Sequence, residues 1–292
     1  MKLVTFEHNG DIRVGVLGNG EVIDLRAAWG RREGAPDSLA ALLGAGRAAL
    51  AHAKVAAGAA APGARRSLQA VRMLPPIPRP PKLVCVGLNY RDHAEETKQP
   101  IPKVPIFFTK APTSVIGPGT PIVLPLDSEQ VDYEAEFAVV IGARCRRVTP
   151  DQARESIAGY TILNDVSARD WQFRTSQWFI GKTFDTFGPM GPAVVTADEV
   201  GDPHVLDISL RLNGEEMQRS NTRNLIFGVP DLIVELSRAM TLEPGDVIAT
   251  GTPAGVGFAR KPPVFLKPGD QVEISIARIG SLSNPVVAEG RA

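Results

Sequence analysis

Two carboxylates, Glu134 and Glu136, stand two residues apart in Tyr133-Glu134-Ala135-Glu136-Phe137-Ala138-Val139-Val140-Ile141-Gly142. The apolar, β-branched run that follows them reads as a buried strand. Side chains two apart on a strand share a face, so both carboxylates point the same way. Like charges at the edge of a core are costly unless something compensates them. A divalent cation that accepts hard oxygen ligands is the simplest compensation. Asp132 lies on the same face and is an alternative partner. A solvated strand end is the alternative to any metal.

Four further features have chemistry in them. His93 and Glu96 are three apart in Leu88-Asn89-Tyr90-Arg91-Asp92-His93-Ala94-Glu95-Glu96. One helical turn brings them to one face, where a carboxylate fixes the imidazole tautomer and supports its charged form. The pair is either a surface contact or an acid–base dyad. Asp165, at the end of Gly159-Tyr160-Thr161-Ile162-Leu163-Asn164-Asp165, is either a helix cap or a further acidic site residue. Lys182, in Gly181-Lys182-Thr183-Phe184-Asp185-Thr186, is either a solvated lysine or a site cation. Thr250-Gly251-Thr252-Pro253-Ala254-Gly255-Val256-Gly257 lacks the spacing of a nucleotide phosphate loop, yet its backbone N–H groups can face an anion.

The elements that must position these residues can be read in order. Residues 2–7, 12–17 and 21–25 look like strands joined at Asn9-Gly10 and Asn19-Gly20, the strongest short hairpin signal. Residues 38–60 read as one or two helices broken near Gly44 and Gly46, with Asp37 or Ser38 as cap. Leu74-Pro75-Pro76-Ile77-Pro78-Arg79-Pro80-Pro81 is a stiff linker, and a boundary there gives a small N-terminal α/β domain, residues 1–74, and a larger domain, residues 75–292. Strands are expected at 83–87, 106–109, 122–124 and around 159–165, with closing strands over 264–276 and 286–289. Thr149-Pro150-Asp151 starts a helix to about Ala158, and another is expected from Val166, capped by Ser167 or Asp165. Residues 181–192 read as a turn-rich loop, Asn213-Gly214 as a hairpin, and Pro230 as the start of a helix to about Met240. Pro100, Pro102 and Pro105 stiffen a loop beside His93, where a lid is expected.

The chain has 292 residues, 43% of them hydrophobic and 22% charged, which fits a globular protein. Its formal net charge is zero, so nothing in its charge favours a nucleic-acid or anionic-membrane partner. No apolar run approaches the ~20 residues that span a bilayer. Cys85 and Cys145 lack metal or redox spacing and read as free thiols. With no signal-peptide layout at Met1-Lys2-Leu3-Val4-Thr5-Phe6-Glu7, a cytoplasmic protein is expected.

In their order, the motifs Gly-Leu-Asn-Tyr-x-x-His-x-x-Glu, Tyr-Glu-Ala-Glu, Asn-Asp-Val-Ser-Ala-Arg-Asp, Gly-Lys-x-Phe-Asp and Thr-Gly-Thr-Pro-x-Gly-Val-Gly resemble the fumarylacetoacetate hydrolase family over residues 75–290. The resemblance implies an α+β class, with a mixed, barrel-like β-roll and flanking helices. It implies Mg²⁺ or Mn²⁺, with Ca²⁺ able to enter in a crystal, held by Glu134, Glu136 and Asp165. Asp132 falls outside the motif as a supporting group. His93 and Glu96 match the family's dyad and Lys182 its active-site lysine. Arg169, Gln172 and Thr252 match positions that contact substrate or close the site. Some members have Arg where this chain has Leu88. The implied activity is metal-dependent hydrolysis of a C–C bond in acylpyruvate or β-diketo acid substrates, through a metal-stabilised enolate. His93 would activate water and Lys182 would stabilise negative charge. Oxaloacetate decarboxylation, hydroxymuconate-type isomerisation or decarboxylation, and ureidoglycolate-type lyase chemistry on the same scaffold are the alternatives. A homodimer acting on a small 2-oxo acid is expected.

Overall fold

The computed structural model describes residues 1–18, 20–30 and 34–290. Asn19, read above as half of a hairpin turn, lies outside them. The chain is a mixed α+β fold of many strands and few helices, with no closed barrel among the described residues. Its main sheet is built around strand Ala135–Ile141, fully buried along its length. That strand pairs antiparallel with Ile157–Asn164 on one side and Val247–Ala249 on the other. Leu83–Gly87 joins next, parallel, and Ile106–Thr109 forms the edge. A second sheet of five strands runs from Glu215–Asn221 through Asp207–Leu212, Gln271–Ile276 and Gly280–Ala288 to Ile122–Leu124.

Both faces of the central strand are buried, which explains its unbroken apolar run. Phe137, Val139 and Ile141 pack into a core with Ile208, Leu210 and Ile274 of the second sheet and Leu232 and Leu236 of helix Val229–Ala239. Ala138 and Val140 face the opposite core, where Leu39, Leu42 and Leu43 of helix Leu39–Gly44 and Ala53 of helix Gly46–Gly58 close the sheet. Each large side chain so buried contributes roughly 1.5–3 kcal/mol. Glu136 lies at the start of this strand, where the apolar run meets the site.

Division of the chain at residue 74 remains a proposal. Lys2–His8 pairs with Arg72–Leu74 on its own side of that division and with Gly188–Thr196 across it, so the N-terminal meander hydrogen-bonds into the main sheet. Asn213 and Gly214 turn the second-sheet hairpin with positive φ at both residues, the conformation that Asn-Gly favours.

Four expectations change. The helix from Pro150 ends at Glu155, because Ser156 turns the chain and Ile157 already pairs with Ile141. Gly188-Pro189-Met190-Gly191-Pro192 is strand rather than loop, part of Gly188–Thr196. The pairing with Ile157–Asn164 shifts between Tyr160 and Ile162, opposite Pro192, where no ladder N–H is required. Lys182 ends a short helix, Phe179–Lys182. Neither Asp165 nor Ser167 caps the helix Arg169–Gln172. Ser167 instead joins a two-residue strand paired with Val131–Asp132, and the Asp165 carboxylate is turned to two lysines.

Candidate active site

Strand register brings the three acids together. Ala135 pairs with Asn164, so Glu134 and Asp165 are neighbours one step further along. The Asn164 side chain accepts the Glu134 N–H at 3.0 Å, and the Asp165 N–H donates to the Glu134 carbonyl at 2.9 Å. Glu134, Glu136 and Asp165 are all buried, and one oxygen from each lies within 4.8 Å of the others.

Buried cations surround this cluster. Lys182 Nζ bridges Glu134 Oε2 and Asp165 Oδ2, each at 2.8 Å. Its helix reaches the site because Gly181 lies against the Gln172 backbone, where a Cβ would be 2.4 Å from the Gln172 nitrogen. Arg169 grips Asp132 Oδ2 through Nε and Nη2 and reaches Glu134 Oε1 at 2.7 Å. Its remaining nitrogen, Nη1, donates to Gln172 Oε1 at 2.8 Å. Lys110 is a residue the sequence reading missed. Its side chain is fully buried, and Nζ donates to Asp165 Oδ1 at 2.6 Å and to the Val166 carbonyl. A lone lysine after an edge strand gives no spacing signal; only the parity of the apolar strand Ile106–Thr109 hints at it.

The Gly-rich loop does meet anions, and they are the protein's own. Gly251 N–H donates to Glu136 at 2.9 Å, Gly255 N–H to Glu96 at 2.8 Å, and Gly257 and Phe258 N–H to Asp132. Gly255 has φ of 100°, and a Cβ there would lie 2.1 Å from the Met217 carbonyl oxygen. Glycine is therefore what lets this loop lie close enough to serve all three carboxylates.

His93 and Glu96 meet on one helical turn. Helix Arg91–Glu96 places His93 Nδ1 3.2 Å from Glu96 Oε2, while Glu96 Oε1 holds the Gly255 N–H. His93 and Glu96 line a cavity of about 490 Å³ together with Glu134, Glu136, Arg169, Gln172, Lys182 and Thr252. Thr252 Oγ1 accepts from Gln218 Nε2 at 2.9 Å. Thr97 and Gln99, from the proline-stiffened loop, also line it. Asp165 lies beneath, joined to the cavity through Lys182.

Four buried carboxylates, Asp132, Glu134, Glu136 and Asp165, thus face three buried cations, Lys110, Arg169 and Lys182. Of these four, Glu136 alone has no cation within ion-pair distance among the described residues. Burial, followed by the charges of Asp165 and Glu134, pushes its carboxyl well above the ordinary range. Burial would also raise Glu134, but Lys182 and Arg169 outweigh it and hold that carboxyl at about 2. Burial would lower Lys182, and Asp165 and Glu134 reverse that and raise it. One carboxylate in excess, within a compact set of three oxygen donors, fits a hard divalent cation.

The fold and site define the class. Residues 82–287 match the fumarylacetoacetate (FAA) hydrolase C-terminal family model, and the chain belongs to this family of metal-dependent enzymes. Among its relatives is the rat protein named oxaloacetate tautomerase Fahd2a, mitochondrial, 46% identical over 98% of this chain and 92% of its own. A solved fumarylacetoacetate hydrolase from Exiguobacterium antarcticum is 41% identical with a TM-score of 0.86, covering 99% of this chain and all of the other. Maleylpyruvate hydrolase from Sphingobium, solved with manganese(II) and pyruvate, is 34% identical with a TM-score of 0.81, again over 99% and 100%. The cytoplasmic expectation does not stand, because the rat relative is named as mitochondrial; the residues at the start of the chain were an insufficient basis for it.

Proposed function

We propose that this chain interconverts the keto and enol forms of oxaloacetate or a close 2-oxo acid, using Mg²⁺ or Mn²⁺ held by Glu134, Glu136 and Asp165. The observation that supports this most is the nearly end-to-end match to a named oxaloacetate tautomerase at 46% identity. The expected C–C hydrolysis takes second place. It is favoured by the likeness, at lower identity, to the maleylpyruvate hydrolase solved with manganese and pyruvate.

A cation at these carboxylates would supply Lewis acidity to the substrate's carboxylate and C2 carbonyl. The remaining work falls to side chains. Glu96 accepts the Nδ1–H of His93, which leaves Nε2 as the basic nitrogen of the neutral ring. His93 would take a proton from C3 when the keto form becomes the enol, and return it in the reverse direction. Glu96, itself fixed by Gly255, would orient the ring and balance its transient charge. Lys182 would face the negative charge that builds on the C2 oxygen. The net reaction moves one proton from carbon to oxygen and consumes no water. Hydrolysis needs the same base to activate water instead, so the two readings differ in what His93 deprotonates. They are separated by following the enol absorbance of oxaloacetate alongside pyruvate release from an acylpyruvate. Tautomerisation predicts the first at a rate well above a metal-only control, without appreciable release of the second.

A further inference from the structure

One amide of the second sheet reaches the carboxylate cluster. Strand Glu215–Asn221 pairs with Asp207–Leu212 so that Leu210 meets Gln218 and Arg211 meets Glu216, which leaves Met217 without a partner. This bulge breaks the alternation of the strand: Met217 and Gln218 are consecutive, yet both are buried. Met217 joins the core, while Gln218, only 1% exposed, carries a polar side chain to the Gly-rich loop. That loop is pinned to the same bulge, because Arg260 donates to the Met217 carbonyl at 2.5 Å and to the Gly255 carbonyl at 3.3 Å.

Three bonds fix the Gln218 amide. Its Oε1 accepts the N–H of Ala135, the residue between Glu134 and Glu136, at 2.9 Å. Its Nε2 donates to the Pro253 carbonyl at 2.8 Å and to Thr252 Oγ1 at 2.9 Å. A backbone N–H can only donate and a backbone carbonyl can only accept, so the amide has one orientation. Thr252 Oγ1 must therefore accept from Gln218. Its own proton has no protein acceptor among the described residues, and Thr252 lines the cavity. Gly251, its neighbour in the chain, donates to Glu136 at 2.9 Å, so this threonine borders the carboxylate cluster.

We propose that Gln218 is a positioning residue: by donating to Thr252 it leaves that hydroxyl as a hydrogen-bond donor to the carboxylate of a bound 2-oxo acid. This rests on the reading that the 2-oxo acid head sits at Glu134, Glu136 and Asp165. Gln218 does not itself line the cavity. A threonine that had to donate to the protein would offer only lone pairs to the same carboxylate.

The probe is oxalate, which has the carboxylate head and does not react. Calorimetric titration of the protein saturated with Mn²⁺ should show oxalate bound about tenfold more weakly by Thr252→Val and by Gln218→Met. The double variant should bind within about twofold of Thr252→Val alone, because the two side chains act as one unit. If Gln218→Met does not fold, Gln218→Glu replaces it: the acceptor for Ala135 is kept and the amide donors are lost. Its added charge acts in both backgrounds, so the loss it causes must be smaller beside Thr252→Val than in the parent. If Gln218 served only to hold the strand, its full loss would recur beside Thr252→Val. That result, or unchanged oxalate binding in either single variant, would overturn the role of Gln218 and leave the tautomerase reading standing. Oxalate bound as tightly by the Mn²⁺-free parent would overturn both, because the head would then lie away from the carboxylates.

Discussion

Glu136 is the residue on which the electrostatics of the site turn. Its carboxyl is raised by burial and by two acidic neighbours, so the metal-free fold favours its protonated form. Stability from this group is full below the ordinary value of 4.5 and is lost as pH rises through the folded value. Glu134 runs the other way: its contribution is present above 4.5 and is lost as pH falls towards about 2. Metal-free Glu136→Gln should therefore melt higher than the parent at pH 8, by about 1–3 kcal/mol, with the gap shrinking towards pH 5. A thermal scan in chelator at several pH values measures this, and a gap independent of pH would contradict it. His93→Ala should slow turnover by about 10²–10⁴-fold while calorimetry shows Mn²⁺ affinity unchanged, because the base is not a ligand. Glu96→Gln should lose less. These residues were legible because their types and spacing match needs that chemistry imposes. Lys110 was not, since a lone buried lysine declares itself only when the fold brings it to Asp165. Arg169 was expected among the substrate contacts; every nitrogen it has is already bonded to protein acceptors, which suits it to neutralising Asp132 and Glu134.

At the level of elements, the Gly-rich loop after strand Val247–Ala249 ties the site together. One short stretch donates to a proposed metal ligand, to the dyad and to the partner of Arg169. Gly255→Ala should be damaging twice, by strain at φ of 100° and by a clash 2.1 Å from the Met217 carbonyl oxygen. It should cost about 1–3 kcal/mol or more and disturb Glu96. Gly119→Ala is the control, since φ there is 74° but nothing lies within 4 Å of the added Cβ. Denaturant titration and turnover should show the first variant impaired in both and the second in stability alone; equal effects on turnover would contradict the coupling. The sequence showed that this loop could face anions, but not which ones, because its partners lie more than a hundred residues away along the chain for most of its contacts. Prolines misled the reading of residues 188–192 for a similar reason. The strand tolerates Pro192 where its partner's register shifts, and register is a property of the pair rather than of the segment.

For the whole molecule, the continuous main sheet makes the N-terminal meander part of the scaffold on which the site is built. Exposed apolar side chains occur in two segments that also supply cavity-lining residues: Ile101 and Val104 follow Thr97 and Gln99, and Phe173, Phe179 and Ile180 precede Lys182. We propose that the chain works as a homodimer. Sedimentation at micromolar concentration should give twice the 31.2 kDa chain mass, and a species of 31.2 kDa alone would contradict it. The α+β class, the central strand and the dyad-bearing helix were readable because each rests on local periodicity. The joining of residues 1–74 to the main sheet was not, because strand Lys2–His8 meets Gly188–Thr196 across nearly two-thirds of the chain. The most direct test of the account is the rate at which the purified protein interconverts enol and keto oxaloacetate, with Mn²⁺ and then with excess chelator. Catalysis with Mn²⁺ that falls to the uncatalysed rate in chelator, and is absent in Glu136→Ala with Mn²⁺ present, is the predicted result. A full rate in chelator, or no acceleration over Mn²⁺ alone, would contradict it.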